Sequence, residues 1–420
     1  MALIGRDPKD QIVERFARHV SSGKAEFFSS AGIDFVAGER EGVYLSNLDG
    51  QRLINCHCNG GVFNLGHRNP ELVATLKDAL DVLDVGNHHF PSVARGECAE
   101  ALVRTMPGDL EYVVFAPSGG EAIDVAIKTA RHATQRRRVV SIAKGYHGHT
   151  GLALAAGDAR FSTRFLSEGA PGEFVQVPWN DLAAMEDALA ARDVAAVVVE
   201  TIPATSGFPL PAPGYLPGVQ ALCRRAGAVY VADEVQTGLG RTGRMWGVEC
   251  FGAEPDILVT GKGLGGGLYP MAAAVLSRRV AGWLDEDGWA HVSTFGGSEL
   301  GCRVAQRVLD VTARPATIAN VTAVGERLGA GLESIRARHP DWLLEIRRQG
   351  VIMGLRFAHE RGAQLMTRAC YDAGLWAMFA GHDTSVLQFK AGLLADAAFC
   401  DDALARLEDG VARCRAMLGG

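Results

Sequence analysis

Short apolar runs recur along the chain, and several of them end in a charged residue. Runs that are apolar at nearly every position are typical of strands in a parallel sheet, because helices cover both faces of such a sheet. Apolar residues at helical spacing separate these runs, which favours alternating strands and helices. The predicted strands of this kind span residues 111–117, 139–143, 194–200, 228–232 and 256–260.

The two ends of the chain have a different pattern. Near the N-terminus, a helical pattern precedes two short strands that are joined at Asp49 and Gly50, a typical turn pair. Beyond residue 314, the alternation of long helices with short strands suits a smaller α+β domain. The predicted C-terminal helices span residues 318–337, 364–372 and 401–418, and the predicted strands span 343–346 and 351–357.

These patterns predict an α/β protein in three segments. Residues 56–313 form a large domain with a mostly parallel sheet flanked by helices. Residues 314–420 form the C-terminal small α+β domain, and residues 1–55 form an N-terminal segment that is part of the small domain.

The composition is that of an ordinary globular protein. The 420 residues are 48% hydrophobic and 21% charged, with a net charge of −6 and a pI near 6.1. An acidic balance disfavours nucleic acid and anionic membranes as partners. No apolar run reaches membrane-spanning length, and the N-terminal region lacks the long apolar stretch of a signal peptide. We therefore expect a cytoplasmic protein with no nucleic-acid or membrane partner.

The nine cysteines are scattered, with no CxxC pair, and are expected to be reduced and buried. Cys56, His57 and Cys58 form the one suggestive cluster. They lack a second ligand pair at zinc spacing, so we interpret them as core residues and predict no metal site.

The stretch 227–267 combines two predicted strands with candidate chemistry. Asp233 follows one strand, and Lys262 follows the next one, between Gly261 and Gly263. In open α/β sheets, ligands bind beyond the carboxyl ends of the strands. If the two strands are neighbours, Asp233 and Lys262 face one site.

Three interpretations of this stretch compete. In the first, Asp233 is an ordinary turn residue and Lys262 is a solvated cation. In the second, Gly238, Gly240 and Gly243 form the GxGxxG fingerprint of dinucleotide-binding proteins, although no periodic apolar face follows to form the required helix. In the third, the lysine forms a Schiff base with pyridoxal 5′-phosphate (PLP), and a carboxylate keeps the pyridine nitrogen protonated.

A resemblance favours the third interpretation. The segments DEVQTGLGRTG and TGKGLGGG resemble those of the class III aminotransferases, the ornithine and acetylornithine aminotransferase group of the fold type I PLP-dependent enzymes. This resemblance implies the fold type I architecture with PLP as cofactor. It also implies that Lys262 is the Schiff-base lysine, that Asp233 pairs with the pyridine nitrogen, and that Gln236 hydrogen-bonds near the phenolic oxygen.

Further cofactor contacts follow from the same resemblance. Ser118, Gly119 and Gly120 stand where a predicted strand meets a predicted helix, and a helix N-terminus offers free backbone N–H groups to an anion. The family carries a closely similar SGxEA segment, which implies that these residues contact the phosphate. Tyr146 matches the aromatic residue that covers one cofactor face in related enzymes, and His147 is a weaker candidate.

The segment HVSTFGGSELGC, at residues 291–302, resembles a family segment with a TFGG core. In the family, its threonine reaches the cofactor phosphate of the neighbouring subunit. The resemblance therefore implies a homodimer in which Thr294 has this role, although Ser298 and Glu299 replace the more usual Asn-Pro.

The substrate residues depart from the family pattern. Glu200 ends a predicted strand and is a candidate substrate contact, but the loop after it diverges from the usual Glu-Pro. Relatives that bind α-amino acids commonly carry a carboxylate-clamping arginine where this chain has Gln388. We expect Lys390 to lie on the opposite face of that strand. Either the amino donor lacks a carboxylate at that place, or another cation, such as Lys390 after a local bulge, replaces the clamp.

These residues predict ping-pong transamination between a small-molecule amino donor and a 2-oxo acid acceptor. A donor amine displaces Lys262 from the cofactor, and the freed lysine amine acts as general base and acid for a proton shift. The same apparatus serves racemases, aminomutases, lyases and decarboxylases, which stay open as alternatives. A nicotinamide dinucleotide-binding dehydrogenase is the alternative from a different class.

Overall fold

The computed structural model describes residues 8–86 and 89–418. Up to the first strand of the largest sheet, its elements are α1 (Lys9–His19), α2 (Ser22–Ser30), β1 (Ala37–Glu41), β2 (Tyr44–Asn47), β3 (Arg52–Asn55), α3 (Cys58–Gly61), α4 (Pro70–Leu80), α5 (Val93–Val103) and β4 (Leu110–Ala116). The central part contains α6 (Gly119–Thr134), β5 (Arg138–Ile142), α7 (Gly151–Ala156), α8 (Ala159–Arg164), β6 (Phe174–Val177), α9 (Leu182–Leu189), β7 (Val194–Glu200), α10 (Tyr215–Ala226), β8 (Val229–Asp233), β9 (Ile257–Thr260) and β10 (Ala272–Ser277).

The C-terminal part contains α11 (Trp283–Glu286), α12 (Glu299–Thr312), α13 (Pro315–Arg338), β11 (Leu343–Gln349), β12 (Ile352–Phe357), α14 (Gly362–Asp372), β13 (Leu375–Trp376), β14 (Met378–Ala380), β15 (Asp383–Lys390) and α15 (Ala397–Met417). Two 3₁₀ helices, Gly247–Phe251 and Lys262–Gly265, lie near β9. Among the described residues, no helix is both long and apolar enough to cross a membrane.

The largest sheet of the described chain has seven strands in the order β4-β10-β9-β8-β7-β5-β6. Strand β10 is antiparallel to both neighbours, and the remaining pairs are parallel. Strands β7, β8, β9 and β10 are buried at every position. Helix α6 packs on one face of the sheet through Ile123, Ala126 and Ile127, and α10 covers the other face. The predicted α/β fold with a mostly parallel sheet flanked by helices is therefore confirmed.

The register of this sheet brings the carboxyl ends of its central strands together. Glu200 at the end of β7 pairs with Asp233 at the end of β8, and Asp233 pairs with Val259 of β9. Strand β4 runs in the same direction, and α6 begins shortly after it ends. Chain segments that are far apart in sequence thus emerge at one edge of the sheet.

Two four-stranded sheets lie outside the large one in the described chain. One has the order β1-β2-β3-β13, in which β13 runs parallel to β3, so the N-terminal strands pair with a C-terminal one. The other is antiparallel, in the order β11-β12-β15-β14. Helices α13, α14 and α15 share one apolar core with the second of these sheets. The boundaries near residues 55 and 313 stay predictions.

A buried carboxylate fixes the loop that follows β8. Glu234 is 1% exposed and accepts four hydrogen bonds, from the hydroxyls of Thr201 (2.6 Å) and Thr237 (2.7 Å) and from the backbone N–H groups of Gly247 (2.9 Å) and Val248 (2.8 Å). Burial raises the pKa of Glu234, while these donors stabilise its charge. Because the loop also carries Gln236, Glu234 holds a predicted site residue in place.

We predict that Glu234→Ala lowers the free energy of unfolding by at least about 3 kcal/mol, since each buried donor left without an acceptor costs about 1–3 kcal/mol. Urea unfolding followed by tryptophan fluorescence measures this difference. Glu168, which is exposed, provides the control, because Glu168→Ala should change stability by less than about 0.5 kcal/mol. Equal stability of the two variants would contradict the anchoring role of Glu234.

Candidate active site

A cavity of about 300 Å³ opens at the carboxyl edge of the large sheet. Most of the site residues predicted from the sequence line it, and the loop after β5 contributes further polar residues. The lining residues are Ser118, Gly119, Gly120, Tyr146, His147, Gly148, His149, Thr150, Glu200, Asp233, Val235, Gln236 and Lys262. Thr294, Gln388 and Lys390 are not part of this lining.

One wall of the cavity is the N-terminus of α6. Ser118 precedes the helix, and its hydroxyl accepts a hydrogen bond from the N–H of Glu121 (3.2 Å). Gly120 has no room for a side chain, because a Cβ there would lie 2.8 Å from the Thr150 hydroxyl oxygen. The first backbone N–H groups of a helix have no intrahelical partner and carry the positive end of its dipole. This wall is therefore suited to a phosphate group.

The floor of the cavity holds a buried acid and imidazole pair. Asp233 Oδ2 lies 2.8 Å from His147 Nδ1, and Asp233 Oδ1 accepts the N–H of Val235 (3.0 Å). Both side chains are buried, Asp233 at 5% exposure. Burial opposes a charge on His147, but the bond to Asp233 outweighs it and raises the pKa of His147. His147, the weaker candidate in the sequence, therefore forms a hydrogen bond that stabilises the negative charge of Asp233.

Glu200 is a second buried carboxylate beside this pair, at 7% exposure. Its two oxygens accept the backbone N–H groups of Tyr146 (3.0 Å) and Ala204 (3.1 Å), so it ties the loop after β5 to the loop after β7. Burial raises the pKa of Glu200 to about 7, with His147 acting in the opposite direction and Asp233 in the same one. Tyr146, which is partly buried, is held at the cavity wall by this contact.

Lys262 follows β9 and keeps part of its side chain exposed to the cavity. Its φ of 45° is left-handed, an uncommon conformation for a residue with a Cβ. Burial and the charge of Arg241 lower the pKa of Lys262, although Asp233 and Glu200 act against this shift. A lowered pKa makes more of the amine available as an uncharged nucleophile or base.

Gln236 contributes an unused acceptor to the cavity. Its Oε1 atom is buried and has no hydrogen-bond partner among the described residues. Buried polar groups in proteins are nearly always hydrogen-bonded, so an exception in a cavity points to a ligand.

The glycines of the GxGxxG fingerprint lie in the loop between β8 and β9. Gly240 and Gly243 have left-handed φ values of 85° and 88°, and the next helical element is the 3₁₀ helix Gly247–Phe251. A dinucleotide fingerprint has to open an α-helix after a strand. This loop lacks that structure, so the dinucleotide-binding interpretation is not supported.

The expectation for Lys390 is wrong. Gln388 and Lys390 are both buried in β15, and Lys390 Nζ donates to Gln388 Oε1 (2.9 Å). Residues two positions apart on an extended strand share a face, so no bulge is needed to bring the lysine to the side of the glutamine. Thr294 lies at an exposed position in the loop before α12 and does not line the cavity of its own chain.

Sequence reasoning missed several residues that line the cavity, namely Gly148, His149, Thr150 and Val235. The rule that found Asp233 and Lys262 would have included them, since each follows the carboxyl end of a strand in the same sheet.

A flat, phosphorylated pyridine aldehyde such as PLP fits these residues. The α6 N-terminus suits its phosphate, Asp233 offers an oxygen for its ring nitrogen, and Gln236 offers an unpaired acceptor. Lys262 supplies an amine beside them, and Tyr146 supplies an aromatic ring at the wall. No metal ion is required by this donor set.

Comparison with known proteins agrees with this fit. The family model described as Aminotransferase class-III matches residues 29–411. An uncharacterized aminotransferase of Archaeoglobus fulgidus is 49% identical over 394 residues, which cover 94% of this chain and 92% of that protein.

Solved structures share the fold. The ornithine aminotransferase of Toxoplasma gondii superimposes with a TM-score of 0.88 at 23% identity, over 98% of this chain and 96% of that chain. The N-acetylornithine aminotransferase of Stenotrophomonas maltophilia superimposes with a TM-score of 0.79 at 27% identity, over 93% of this chain and 100% of that chain.

The raised pKa of Glu200 predicts a pH-dependent stability. A carboxyl group whose pKa rises on folding from 4.5 to about 7 stabilises the fold fully below pH 4.5, and this contribution is lost as the pH rises through about 7. Glu200→Gln removes this titration. Any change in stability that the substitution causes at every pH shifts the whole profile and leaves its slope unaffected. We expect the free energy of unfolding of the wild type, relative to the variant, to fall by up to about 3 kcal/mol over that range. Urea unfolding at several pH values measures it, and parallel pH profiles would contradict the assignment.

Proposed function

This chain belongs to the class III aminotransferase family, and we propose that Lys262 carries its PLP cofactor while Asp233 holds the pyridine nitrogen. The protein is a PLP-dependent transaminase that moves an amino group from a donor to a 2-oxo acid. The observation that supports these residue roles is the cavity in which the Lys262 amine, the Asp233–His147 pair and the N-terminus of α6 meet.

The cofactor, when bound, withdraws electrons from the carbon that bears the substrate amine and so stabilises negative charge there. Asp233 would hold a proton at the ring nitrogen through one of its carboxylate oxygens. His147 donates from Nδ1 to Asp233 Oδ2, which fixes the orientation of the carboxylate. The pair is buried, so water competes little for this contact and its electrostatic effect is strong.

Lys262 acts in two ways in this proposal. Its amine would hold the cofactor through the aldehyde group, with loss of water, and once freed by the donor it would take up the proton of the substrate carbon at Nζ. The lowered pKa of Lys262 supports both steps, because each step needs the uncharged amine.

The other predicted contacts have positioning roles. Ser118, Gly119 and Gly120 bind the phosphate with backbone N–H groups and a hydroxyl. Tyr146 would cover a face of the ring, and Glu200 holds the loop that carries Tyr146. Gln236 would orient the phenolic edge of the ring through its unpaired Oε1 atom.

We propose that the enzyme is a cytoplasmic homodimer in which Thr294 binds the phosphate of the partner subunit. Thr294 is exposed and does not line the cavity of its own chain, which supports this role. The nine free thiols support a reducing compartment.

The role of Lys262 is tested by Lys262→Ala. We expect transaminase activity to fall by at least about a thousandfold, as for the loss of a nucleophile and general base. Borohydride reduction followed by peptide mass mapping should place the cofactor on the peptide that contains Lys262 in the wild type. Lys144→Ala, at an exposed lysine outside the cavity lining, is the control and should keep activity and adduct. An adduct on another lysine would refute the proposal.

The role of Thr294 is tested with a heterodimer of Thr294→Ala and Lys262→Ala subunits, isolated through two affinity tags. The Thr294→Ala homodimer should bind PLP about 10-fold more weakly, because a hydrogen bond to a charged group is lost. If Thr294 acts across the interface, the heterodimer has one site with both residues intact, and its activity should depend on PLP concentration as in the wild type. Weakened PLP dependence of that single site would place Thr294 in its own subunit's site.

A further inference from the structure

Lys390 is a buried cation that the chemistry above does not use. It is 0% exposed, and its Nζ has one hydrogen-bond acceptor among the described side chains, Gln388 Oε1 at 2.9 Å. The same atom lies 5.0 Å from the ring centroid of Phe208. An ammonium group has three donors, and an isolated buried charge is costly. The folded chain therefore leaves Lys390 short of acceptors.

A second buried cation lies nearby with the same deficit. Arg241 is 1% exposed, and its Nη2 donates to Gly61 O (3.0 Å) and Asn64 Oδ1 (2.6 Å). Its Nη1 is buried without a partner among the described residues. No carboxylate in the described chain forms an ion pair with Lys390 or Arg241. Charged side chains are almost never fully buried unless they are paired.

The turn α3 connects these cations to the cofactor-binding lysine. The N–H of Lys390 donates to Cys56 O (2.7 Å), just before the turn. A Cβ on Gly60 would lie 3.6 Å from Lys262 Cε, and a Cβ on Gly61 would lie 3.1 Å from Arg241 Nη2. One short segment thus bonds to Lys390 and Arg241 and passes close to Lys262.

The electrostatics of the three residues agree with their proximity. Burial lowers the pKa of Lys390 well below its ordinary value, and the charges of Arg241 and Lys262 lower it further. His57 stands among the same groups, and its pKa falls well below normal through burial and the charges of Lys390, Lys262 and Arg241. An anion placed there would relieve all of these repulsions.

We propose that Lys390, with Arg241 and His57, forms a carboxylate-binding subsite that selects amino donors and acceptors carrying a carboxylate. This inference rests on the transaminase function and defines its substrate class. Gln388 holds the Lys390 amine in position. The uncharged Gln388 therefore does not imply a substrate that lacks a carboxylate.

The structure favours this subsite over a donor without a carboxylate. A pocket for a donor without a carboxylate would need no buried cation, and an isolated buried charge is costly for the fold. Lys390 and Arg241 would both oppose the approach of a second cationic amine.

The test uses pairs of donors that share the reactive amine and differ in the carboxylate, namely 4-aminobutyrate with n-butylamine and L-ornithine with putrescine. The first half-reaction of the holoenzyme, followed by the absorbance of the bound cofactor, gives kcat/KM for each donor. We expect the wild type to prefer the carboxylate member of at least one pair by about 10-fold or more. Lys390→Met should remove most of that preference, and Lys390→Arg should retain part of it.

Two outcomes of this comparison would overturn the proposal. One is that Lys390→Met lowers kcat/KM by the same factor for both members of each pair, which would indicate that Lys390 has a structural role only. The other is a wild type that prefers the amines without a carboxylate. Lys77→Met, at an exposed lysine in α4, is the matched control and should leave every value unchanged.

Binding without turnover provides a second readout. Glutarate should raise the Tm of the wild-type holoenzyme and compete with donors, whereas the uncharged glutaramide should do neither. Lys390→Met should lose the effect of glutarate, and should this variant fail to fold, the glutarate and glutaramide pair in the wild type still decides. Equal effects of the two compounds would refute the subsite. Failure of the transaminase function would look different, because no donor would change the cofactor spectrum of the wild type.

Discussion

The parallel direction of the central strands is the constraint on which the site depends. Strands β7, β8 and β9 run side by side, and their register pairs Glu200 with Asp233 and Asp233 with Val259. The polar residues that end or follow these strands therefore lie at the same edge of the sheet. An antiparallel arrangement would send alternate strand ends to opposite edges and would separate the acid from the lysine. The local sequence of each strand end matters only because the sheet aligns all of them.

The same constraint decides what could be read from the sequence. Asp233 and Lys262 follow strongly apolar runs, so the rule for strand ends in α/β sheets places them together once the two strands are neighbours, which the structure confirms. His147 is different, because its contact with Asp233 requires the loop after β5 to turn beneath the end of β8. Nothing in the residues next to His147 encodes that path. Strand β10 was also missed, because its alanines have low strand propensity and it becomes a strand through burial between β4 and β9.

The substrate side of the site depends on longer-range contacts still. Lys390 and Arg241 meet the turn α3 from positions far away in the chain, and none of the three segments has a pattern that points to the others. The face of Lys390 could have been predicted, since the period of two along a strand puts it with Gln388. The absence of an acidic partner for Lys390 in the described chain could not have been predicted, because it depends on which residues the surrounding fold brings near the amine. The role proposed for Thr294 would involve a partner chain, and its support from the sequence is the resemblance alone.

Charges of both signs act on Lys262, and they link cofactor binding to substrate choice. Burial and the charge of Arg241 lower the pKa of Lys262, while Asp233 and Glu200 raise it. A substrate carboxylate held by Lys390 and Arg241 would add negative charge near Lys262 and oppose the lowering of its pKa. The lysine amine would then take up the proton of the substrate carbon more readily. In this arrangement, the group that selects the substrate also strengthens the base that acts on it, because both lie in one poorly hydrated cluster.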